Sequence, residues 1–151
     1  MRTSWDETWL ATATVVAGRS KCDTRQVGAV LVSEDNGYLV VGYNGPPAGY
    51  PAEGTCNNWC PRRQAGQCKD RDYLDCPSVH AELNALLRAD RSLLTGGTAY
   101  ITTAPCYNCA KALANSGLKR VVYPRTPEKK HRSPAASLEL LEASGLEVEE
   151  T

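Results

Sequence analysis

Four residues have the types and the spacing of a catalytic zinc site. His80 and Glu82 stand two positions apart, and Cys106 and Cys109 follow in a Pro-Cys-x-x-Cys motif. An imidazole and two thiolates are three ligands for a tetrahedral zinc ion, and the fourth position stays open for water. Glu82 could then carry protons for that water without binding the metal. The pattern predicts metal-assisted hydrolysis.

Each half of this pattern has a simpler explanation when it is read alone. A C-x-x-C motif also occurs in redox and structural zinc sites, and a single histidine on a helix is usually an ordinary core or surface residue. The two halves together, with a strand between them and a helix start at each, favour the catalytic site. The same combination is the signature of zinc-dependent nucleobase deaminases, in which the glutamate transfers protons and does not ligate the metal.

The two motifs are expected to meet at helix N-termini. Cys106 and Cys109 are three positions apart, so their sulfur atoms lie on one face of a helix. In a first turn, the free N–H groups and the positive end of the helix dipole favour thiolates. His80 also stands at a predicted helix start, but His80 and Glu82 are rotated by about 200° around a helix. We therefore expect that helix to meet the metal end-on.

Local patterns predict the elements that hold these residues. Ser4 and Glu7 have the spacing of a capping box, and Asn36-Gly37 is typical of a hairpin turn. The predicted elements are a helix ending at Gly18, strands at 27–32 and 38–43, a helix capped by Ser78 and running to about Ala89, a strand at 98–102, a helix from Pro105 to Gly117, a strand at 120–123, a helix from Pro134 to Gly145, and a short edge strand at 146–148. Residues 44–78 lack periodicity. Helices that alternate with strands call for an α/β fold, with a sheet covered on both faces.

Length and composition predict a single domain, 1–151, located in the cytoplasm. Its 42% apolar residues suffice for one core, and the N-terminus lacks the apolar core of a signal peptide. Seventeen basic and seventeen acidic residues cancel, which disfavours nucleic acid as a partner. Seven basic residues between Lys111 and Arg132 form a solvated face or hold a small phosphate. No apolar run is long enough to span a membrane.

Five cysteines remain after the catalytic metal has been assigned its two. Thiols in a reducing compartment are more natural as metal ligands than as disulfides, and four thiolates close a structural zinc site. We predict a second zinc ion that pins the long loop to the start of the first strand, held by Cys22, Cys56, Cys60 and Cys76. Cys68, in the polar stretch 66–70, is left as an ordinary thiol. The alternative is that all five are reduced and unliganded.

Much of the chain resembles the deoxycytidylate (dCMP) deaminase family. The likeness is carried by Arg19-Ser20-Lys21-Cys22, Gln26 to Val30, Gly42 to Gly49, His80 to Asn84, and Pro105 to Gly117. It implies a three-layer α-β-α fold of the cytidine-deaminase type, with a central mixed five-stranded sheet and helices on both faces. It also implies zinc-dependent hydrolysis of dCMP to dUMP and ammonia, which supplies dUMP for thymidylate. Ala104 departs from relatives that often have a hydroxyl or acidic residue there.

The resemblance also implies roles for residues outside the zinc motifs. Asn44 would bind the sugar hydroxyl, backbone groups near Ala81 the pyrimidine, and Arg25 the 5′-phosphate, while Tyr123 would line the pocket. Read without the family, Asn44 is a turn residue, Tyr123 a strand aromatic and Arg25 a surface charge. Some relatives have a second zinc that uses the cysteine at the position of Cys22.

The family further implies a homo-oligomer, with a hexamer favoured, and dCTP and dTTP as effectors, with Mg²⁺ accompanying the bound nucleotide. Two alternatives remain open. One is a deaminase of another base, either a free cytidine nucleoside or an adenosine in tRNA. The other is a non-catalytic zinc-stabilised module that binds nucleotides or a partner. Glu82 argues against such a module, which has no use for a carboxylate beside an open coordination position.

Overall fold

The computed structural model describes residues 1–64, 75–125 and 134–151, which are organised around one sheet. Its strands are β1 (Gly28–Val32), β2 (Leu39–Tyr43), β3 (Thr98–Ile101), β4 (Arg120–Tyr123) and β5 (Glu147–Glu150). The helices within the described residues are α1 (Trp5–Ala17), α2 (Cys56–Trp59), α3 (Pro61–Gln64), α4 (Ala81–Arg88), α5 (Arg91–Leu94), α6 (Tyr107–Ala114) and α7 (Ala135–Ala143). None of these helices has the length and apolar character to span a bilayer.

The strand order is β2-β1-β3-β4-β5, and the sheet is mixed as predicted. β1 pairs antiparallel with both β2 and β3, whereas β3, β4 and β5 run parallel. Parallel neighbours need a crossover connection, and α6 and α7 lie in the two segments that connect them. These directions bring the start of β1 and the ends of β2, β3 and β4 to one edge of the sheet. We call it the site edge.

Two apolar layers pack on opposite faces of the sheet. Trp9 and Ala13 of α1 pack with Val30, Tyr100 and Val122 on one face. On the other face, residues of α4, α6 and α7 pack against the sheet; the buried members include Ala81, Ala85, Ala110, Leu113 and Leu141. All five residues of β1 are buried because this strand lies between both layers. Coverage on both faces agrees with the predicted three-layer fold.

An ion-pair network ties α1 to the sheet. Arg120 donates two hydrogen bonds to the Asp6 carboxylate, at 2.8 and 2.7 Å, and also pairs with Glu149. The Tyr100 hydroxyl donates to Asp6 at 2.7 Å. Burial and the Asp6 carboxylate raise the pKa of Tyr100 to about 12, so the hydroxyl stays a donor at neutral pH. Charge-assisted bonds of this kind fix α1 in one position over the sheet.

The predicted capping box and hairpin turn are both confirmed. The Ser4 hydroxyl accepts a hydrogen bond from the Glu7 N–H at 3.2 Å, and Glu7 accepts one from the Ser4 N–H at 2.8 Å. At the tip of the β1–β2 hairpin, Asn36 takes a φ of 60°, and its side chain accepts from the Trp9 indole at 2.8 Å. Asparagine tolerates this left-handed conformation, so the residue that permits the turn also anchors α1.

Two helix starts differ from the prediction. α4 begins at Ala81 with His80 as its N-cap, so the prediction of Ser78 as N-cap was wrong. Val79 forms an isolated bridge with Gly45, which keeps the backbone before His80 extended and prevents an earlier helix start. α6 begins at Tyr107 and not at Pro105. Cys106 is the N-cap of α6, and the Cys106 sulfur accepts a hydrogen bond from the Cys109 N–H.

The long loop after β2 contains structure that the sequence did not predict. Its described parts hold the short helices α2 and α3, and the similarly short α5 was also missed. The Cys60 N–H donates to the Cys56 carbonyl at 2.9 Å, so these two cysteines share a helical turn. Cys68 and the basic residues at 129, 130 and 132 lie outside the described residues. β5 forms the predicted edge strand, at 147–150 rather than 146–148.

Candidate metal centre and active site

His80 is held at the site edge by the backbone on its N-terminal side. The Val79 N–H donates to the Gly45 carbonyl at 2.7 Å, and the Gly45 N–H donates back to Val79 at 3.1 Å. This bridge joins the segment after β2 to the residue directly before His80. His80 is therefore fixed by the sheet before α4 begins.

α4 lies unusually close to β2. A Cβ built on Gly42 would be 2.2 Å from the Ala81 carbonyl oxygen and 2.6 Å from the Ala85 nitrogen. Only glycine permits such an approach between a helix backbone and a strand. Gly42 therefore sets the depth at which the first turn of α4 lies, and with it the positions of His80 and Glu82.

The three predicted metal ligands come together between α4 and α6. His80 Nδ1 lies 3.3 Å from Cys109 Sγ and 3.4 Å from Cys106 Sγ. The three candidate ligand atoms all lie within 4.8 Å of one another, and no other such group occurs among the described residues. With Zn–N and Zn–S bonds of about 2.0 and 2.3 Å, a tetrahedral zinc separates nitrogen and sulfur ligands by about 3.5 Å. The residues present therefore fit a zinc ion.

The local charges also suit a cation. Hydrogen bonding from the Cys109 thiol lowers the pKa of Cys106 to about 3, so Cys106 is a thiolate at neutral pH. The same hydrogen bond, together with burial, raises the pKa of Cys109. The Cys106 thiolate in turn raises the pKa of His80. These three groups share protons that a metal would displace, as expected of a preformed metal site.

Glu82 lies beside the three ligands in a dry environment. Its residue surface is only 3% exposed, and burial raises the pKa of its carboxyl. The Cys109 thiol is close enough to donate to it, which opposes that shift. His80, the N-cap of α4, and Glu82, in its first turn, both interact with Cys109, which agrees with the end-on approach predicted for α4. A buried carboxyl with a raised pKa can both accept and donate protons near neutral pH.

Sheet topology carries the predicted substrate residues to the same edge. Arg25 precedes β1, Asn44 follows β2, and Tyr123 ends β4. Arg25 is close enough for its charge to oppose protonation of His80 and thus act against the raised pKa of that imidazole. Ala81 is fully buried under β2, in the first turn of α4. Arg25, Asn44 and Tyr123 therefore lie at the same edge of the sheet as the metal ligands.

Two of these side chains already have protein partners. The Asn44 side chain accepts from the Val27 N–H at 2.9 Å and donates to the Arg25 carbonyl at 2.7 Å. Asn44 therefore holds the segment before β1, and its remaining N–H and lone pair are what a sugar could use. The buried Tyr123 directs its hydroxyl to Glu150 at 3.4 Å.

The extra cysteines within the described residues form a second cluster. Cys56 and Cys60 are buried with Trp59 and Ala52, and Cys22 and Cys76 pack against them. All four are free thiols, and the Asp23 N–H donates to Cys56 Sγ at 3.4 Å. Unlike the His80 group, they include no set of three ligand atoms mutually within 4.8 Å. The predicted set of four is therefore gathered in one place, but more loosely than the first.

Sequence reasoning missed Asn84 as a residue that orders the site. Its side-chain amide donates to the carbonyls of Tyr43 and Val79, at 2.8 and 3.4 Å. The available signal was an amide four positions after His80, which places it one turn further along the same helix. Gly42 was read as part of a strand and of the family likeness, and not as a packing position, although glycine inside a strand often marks a close backbone approach.

A covered mixed sheet that carries a His-Cys-Cys site and a buried glutamate defines a zinc-dependent deaminase. Residues 3–124 match the family model described as the cytidine and deoxycytidylate deaminase zinc-binding region. The chain belongs to this family.

Within this family, the chain is similar to proteins named deoxycytidylate deaminases. The chain is 46% identical to the deoxycytidylate deaminase of Mycobacterium phage D29 over 129 residues, covering 82% of this chain and 97% of that protein. It is 36% identical over 149 residues to the Saccharomyces cerevisiae deoxycytidylate deaminase, covering 98% of this chain but only 45% of the yeast protein. The chain thus spans nearly all of the phage relative and less than half of the yeast one.

The fold also matches a solved structure. The dCMP deaminase of cyanophage S-TIM5, crystallised with dCMP and dUMP, superimposes with a TM-score of 0.70 at 26% identity. The match covers 100% of this chain and 99% of the cyanophage chain. The predicted cytidine-deaminase fold and the predicted family are thereby confirmed.

Proposed function

We propose that the chain is a zinc-dependent dCMP deaminase that converts dCMP and water to dUMP and ammonia. The observation that carries this proposal is the approach of His80 Nδ1 to both Cys106 and Cys109 sulfurs beside the buried carboxyl of Glu82. A structural zinc site needs a fourth protein ligand and has no use for that carboxyl. The arrangement is suited to hydrolysis.

The ligands and Glu82 divide the chemistry between them. When bound, zinc acts as a Lewis acid that brings the pKa of its water close to 7. Glu82 takes a proton from the attacking water as oxygen adds to C4 of the cytosine. Glu82 then delivers that proton to N3. It next transfers the second proton of the water to the amino group, which leaves as ammonia. The raised pKa of Glu82 suits both the acceptance and the donation of a proton.

The site edge supports a nucleotide as the substrate. Arg25 precedes β1 close to His80, and a guanidinium can form two parallel hydrogen bonds with a phosphate. Asn44 borders the same space and retains hydrogen-bonding capacity for a sugar hydroxyl. The relatives from phage D29 and yeast are named deoxycytidylate deaminases, and the cyanophage relative was crystallised with dCMP and dUMP. We assign Arg25 to the 5′-phosphate, Asn44 to the sugar, Ala81 to the base and Tyr123 to the pocket wall.

A second, structural zinc ion is part of the proposal. The cluster of Cys22, Cys56, Cys60 and Cys76 supports it, because four free thiols from three distant parts of the sequence pack around one point of the loop. Small movements of these thiols would complete a tetrahedral site, as metal binding and local folding are coupled. Cys68 lies outside the described residues and is not needed for the set.

Assembly, regulation and location complete the proposal. Leu87 and Leu93 are 80% and 50% exposed on neighbouring helices, which supports a homo-oligomer, and we propose the hexamer implied by the family resemblance.

Regulation by dCTP and dTTP, with Mg²⁺ on the bound effector, follows from that resemblance alone. The free thiols among the described residues suit a reducing compartment such as the cytoplasm. We also propose that residues 1–151 form one domain.

A substrate panel tests the activity. Ammonia release is measured for dCMP, deoxycytidine, CMP, dCTP and an adenosine-containing tRNA stem-loop at equal enzyme and zinc concentrations. The proposed function requires the highest kcat/KM for dCMP. A higher value for deoxycytidine or for the stem-loop would identify a deaminase of another substrate, and no release from any of them would favour a binding module.

A further inference from the structure

Asn84 joins two segments of the site that are far apart in the sequence. Its Nδ2 atom donates to the Tyr43 carbonyl at 2.8 Å and lies 3.4 Å from the Val79 carbonyl. Tyr43 ends β2, whereas Val79 lies in the segment that leads into α4. One side-chain amide on α4 therefore contacts both backbone segments that lead into the site.

The two contacted carbonyls stand directly before residues of the site. Tyr43 precedes Asn44, the residue assigned to the sugar, and Val79 precedes His80, a metal ligand. The bridge between Gly45 and Val79 joins the same two segments through their backbones. Asn84 thus closes a ring of hydrogen bonds that fixes the substrate segment relative to the metal ligand.

The connection continues to the third segment of the site edge. Asn44 accepts from the Val27 N–H and donates to the Arg25 carbonyl. Asn44 therefore connects the end of β2 to the backbone of Arg25, and Asn84 connects the end of β2 to Val79, the residue before His80. Side-chain amides suit this arrangement because each offers two N–H donors and a carbonyl acceptor.

We propose that Asn84 is a positioning residue that sets the geometry between the zinc ligand His80 and the substrate segment at Asn44. This inference rests on the proposed function for the identity of the substrate, but its effect on the metal does not depend on that substrate. Residues that orient metal ligands from outside the coordination sphere typically change metal affinity or activity by about 10- to 100-fold when they are altered.

The substitution Asn84→Ala removes the side-chain donors and leaves the backbone bridge between Gly45 and Val79 intact. The fold is therefore expected to persist while the segments around His80 become freer. Asn84→Ser keeps a shorter hydroxyl donor and serves as a milder replacement. The matched control is Asn36→Ala, which removes an amide contact with Trp9 at the far end of the β1–β2 hairpin.

The experiment compares zinc release and catalysis in the full-length, zinc-loaded protein. Release to an excess of a chromogenic chelator is followed for the wild type, Asn84→Ala and Asn36→Ala, beside thermal unfolding of each. The absorption spectrum of the cobalt-substituted proteins reports ligand geometry, and kcat and KM are measured for dCMP. We expect Asn84→Ala to release zinc about tenfold faster, to shift the cobalt bands and to lower kcat more than it changes KM. Asn36→Ala should lower the unfolding temperature only.

The inference would be overturned if Asn84→Ala released zinc at the wild-type rate and had the wild-type cobalt spectrum, whatever the stability of the variant. So would equal acceleration in Asn36→Ala, since destabilisation alone would then explain the effect. If Asn84→Ala does not yield folded protein, Asn84→Ser is judged by the same comparison. Failure of the wild type to deaminate dCMP would count against the proposed function, while the metal measurements would still decide the role of Asn84.

Discussion

Gly42 in β2 and Ala81 in α4 approach so closely that a Cβ on Gly42 would lie 2.2 Å from the Ala81 carbonyl oxygen. Because this oxygen belongs to the helix backbone, Gly42→Ala must push the first turn of α4 away from the sheet. We expect a loss of about 1–3 kcal/mol in the free energy of unfolding, as overpacking usually costs, together with weaker zinc binding. Denaturant unfolding and zinc content measure the two effects.

Gly45→Ala is the matched control for this prediction. A Cβ on Gly45 would have no heavy atom within 4 Å among the described residues, and its φ is not positive. The control should stay within about 0.5 kcal/mol of the wild type, as substitutions in open positions usually do. Equal stability of Gly42→Ala and Gly45→Ala would show that contact with α4 does not constrain the site.

The second cysteine cluster leads to a prediction about metal content. Fully loaded protein should contain two zinc ions per chain, one at His80, Cys106 and Cys109 and one at Cys22, Cys56, Cys60 and Cys76. Cys60→Ser should lose one zinc ion and unfold at a lower temperature, whereas Cys68→Ser should keep both. Metal analysis after gel filtration makes the measurement. A single zinc ion in fully loaded wild type would remove the second site.

Arg25 provides a test of substrate class. A charge-assisted bond to phosphate is worth about 1.5–3 kcal/mol, so Arg25→Ala should lower kcat/KM for dCMP by about 10- to 100-fold. Deoxycytidine has no phosphate, and its kcat/KM should hardly change. Arg88→Ala, at the exposed end of α4, controls for the loss of a positive charge. Equal effects of Arg25→Ala on both substrates would contradict the phosphate assignment.

The Asp6–Arg120 pair predicts how stability depends on acid. Hydrogen bonds from Arg120 lower the pKa of Asp6 below its ordinary value of 3.8. The folded carboxylate thus binds protons less readily than the unfolded one, so its contribution is complete above about pH 4 and is lost as pH falls through the folded pKa. Asp6→Asn should lower stability at pH 7 and flatten its decline below pH 4. The free energy of unfolding in urea is measured across that pH range for the wild type, Asp6→Asn and the control Glu139→Gln. The prediction is contradicted if both variants lose stability below pH 4 as steeply as the wild type.

The chemistry of the site could be predicted because it depends on residue types and short spacings. His80, Glu82, Cys106 and Cys109 are recognisable from sequence alone, and a shared metal requires the two motifs to meet. The hairpin at Asn36 is equally local, since its turn conformation is set by the residue itself. These predictions needed no knowledge of the distant parts of the chain.

The parts that could not be predicted depend on long-range pairing. Ser78 has the properties of an N-cap, but the bridge between Val79 and Gly45 moves the start of α4 to Ala81. The close approach of Gly42 to α4 and the double contact of Asn84 arise only once β2 and α4 have packed together. Sequence periodicity carries no information about such contacts.

Glu82→Gln provides the most direct test of zinc-dependent deamination at this site. The replacement keeps the size of the buried side chain but cannot exchange protons, and Glu82 is not a metal ligand in the proposed mechanism. Formation of dUMP from dCMP is measured by chromatography, with zinc content determined on the same samples. We expect unchanged zinc content and a fall in kcat of about a thousandfold, within the usual range for loss of a general acid–base group. A near-normal kcat in Glu82→Gln with zinc bound would contradict the proposed mechanism.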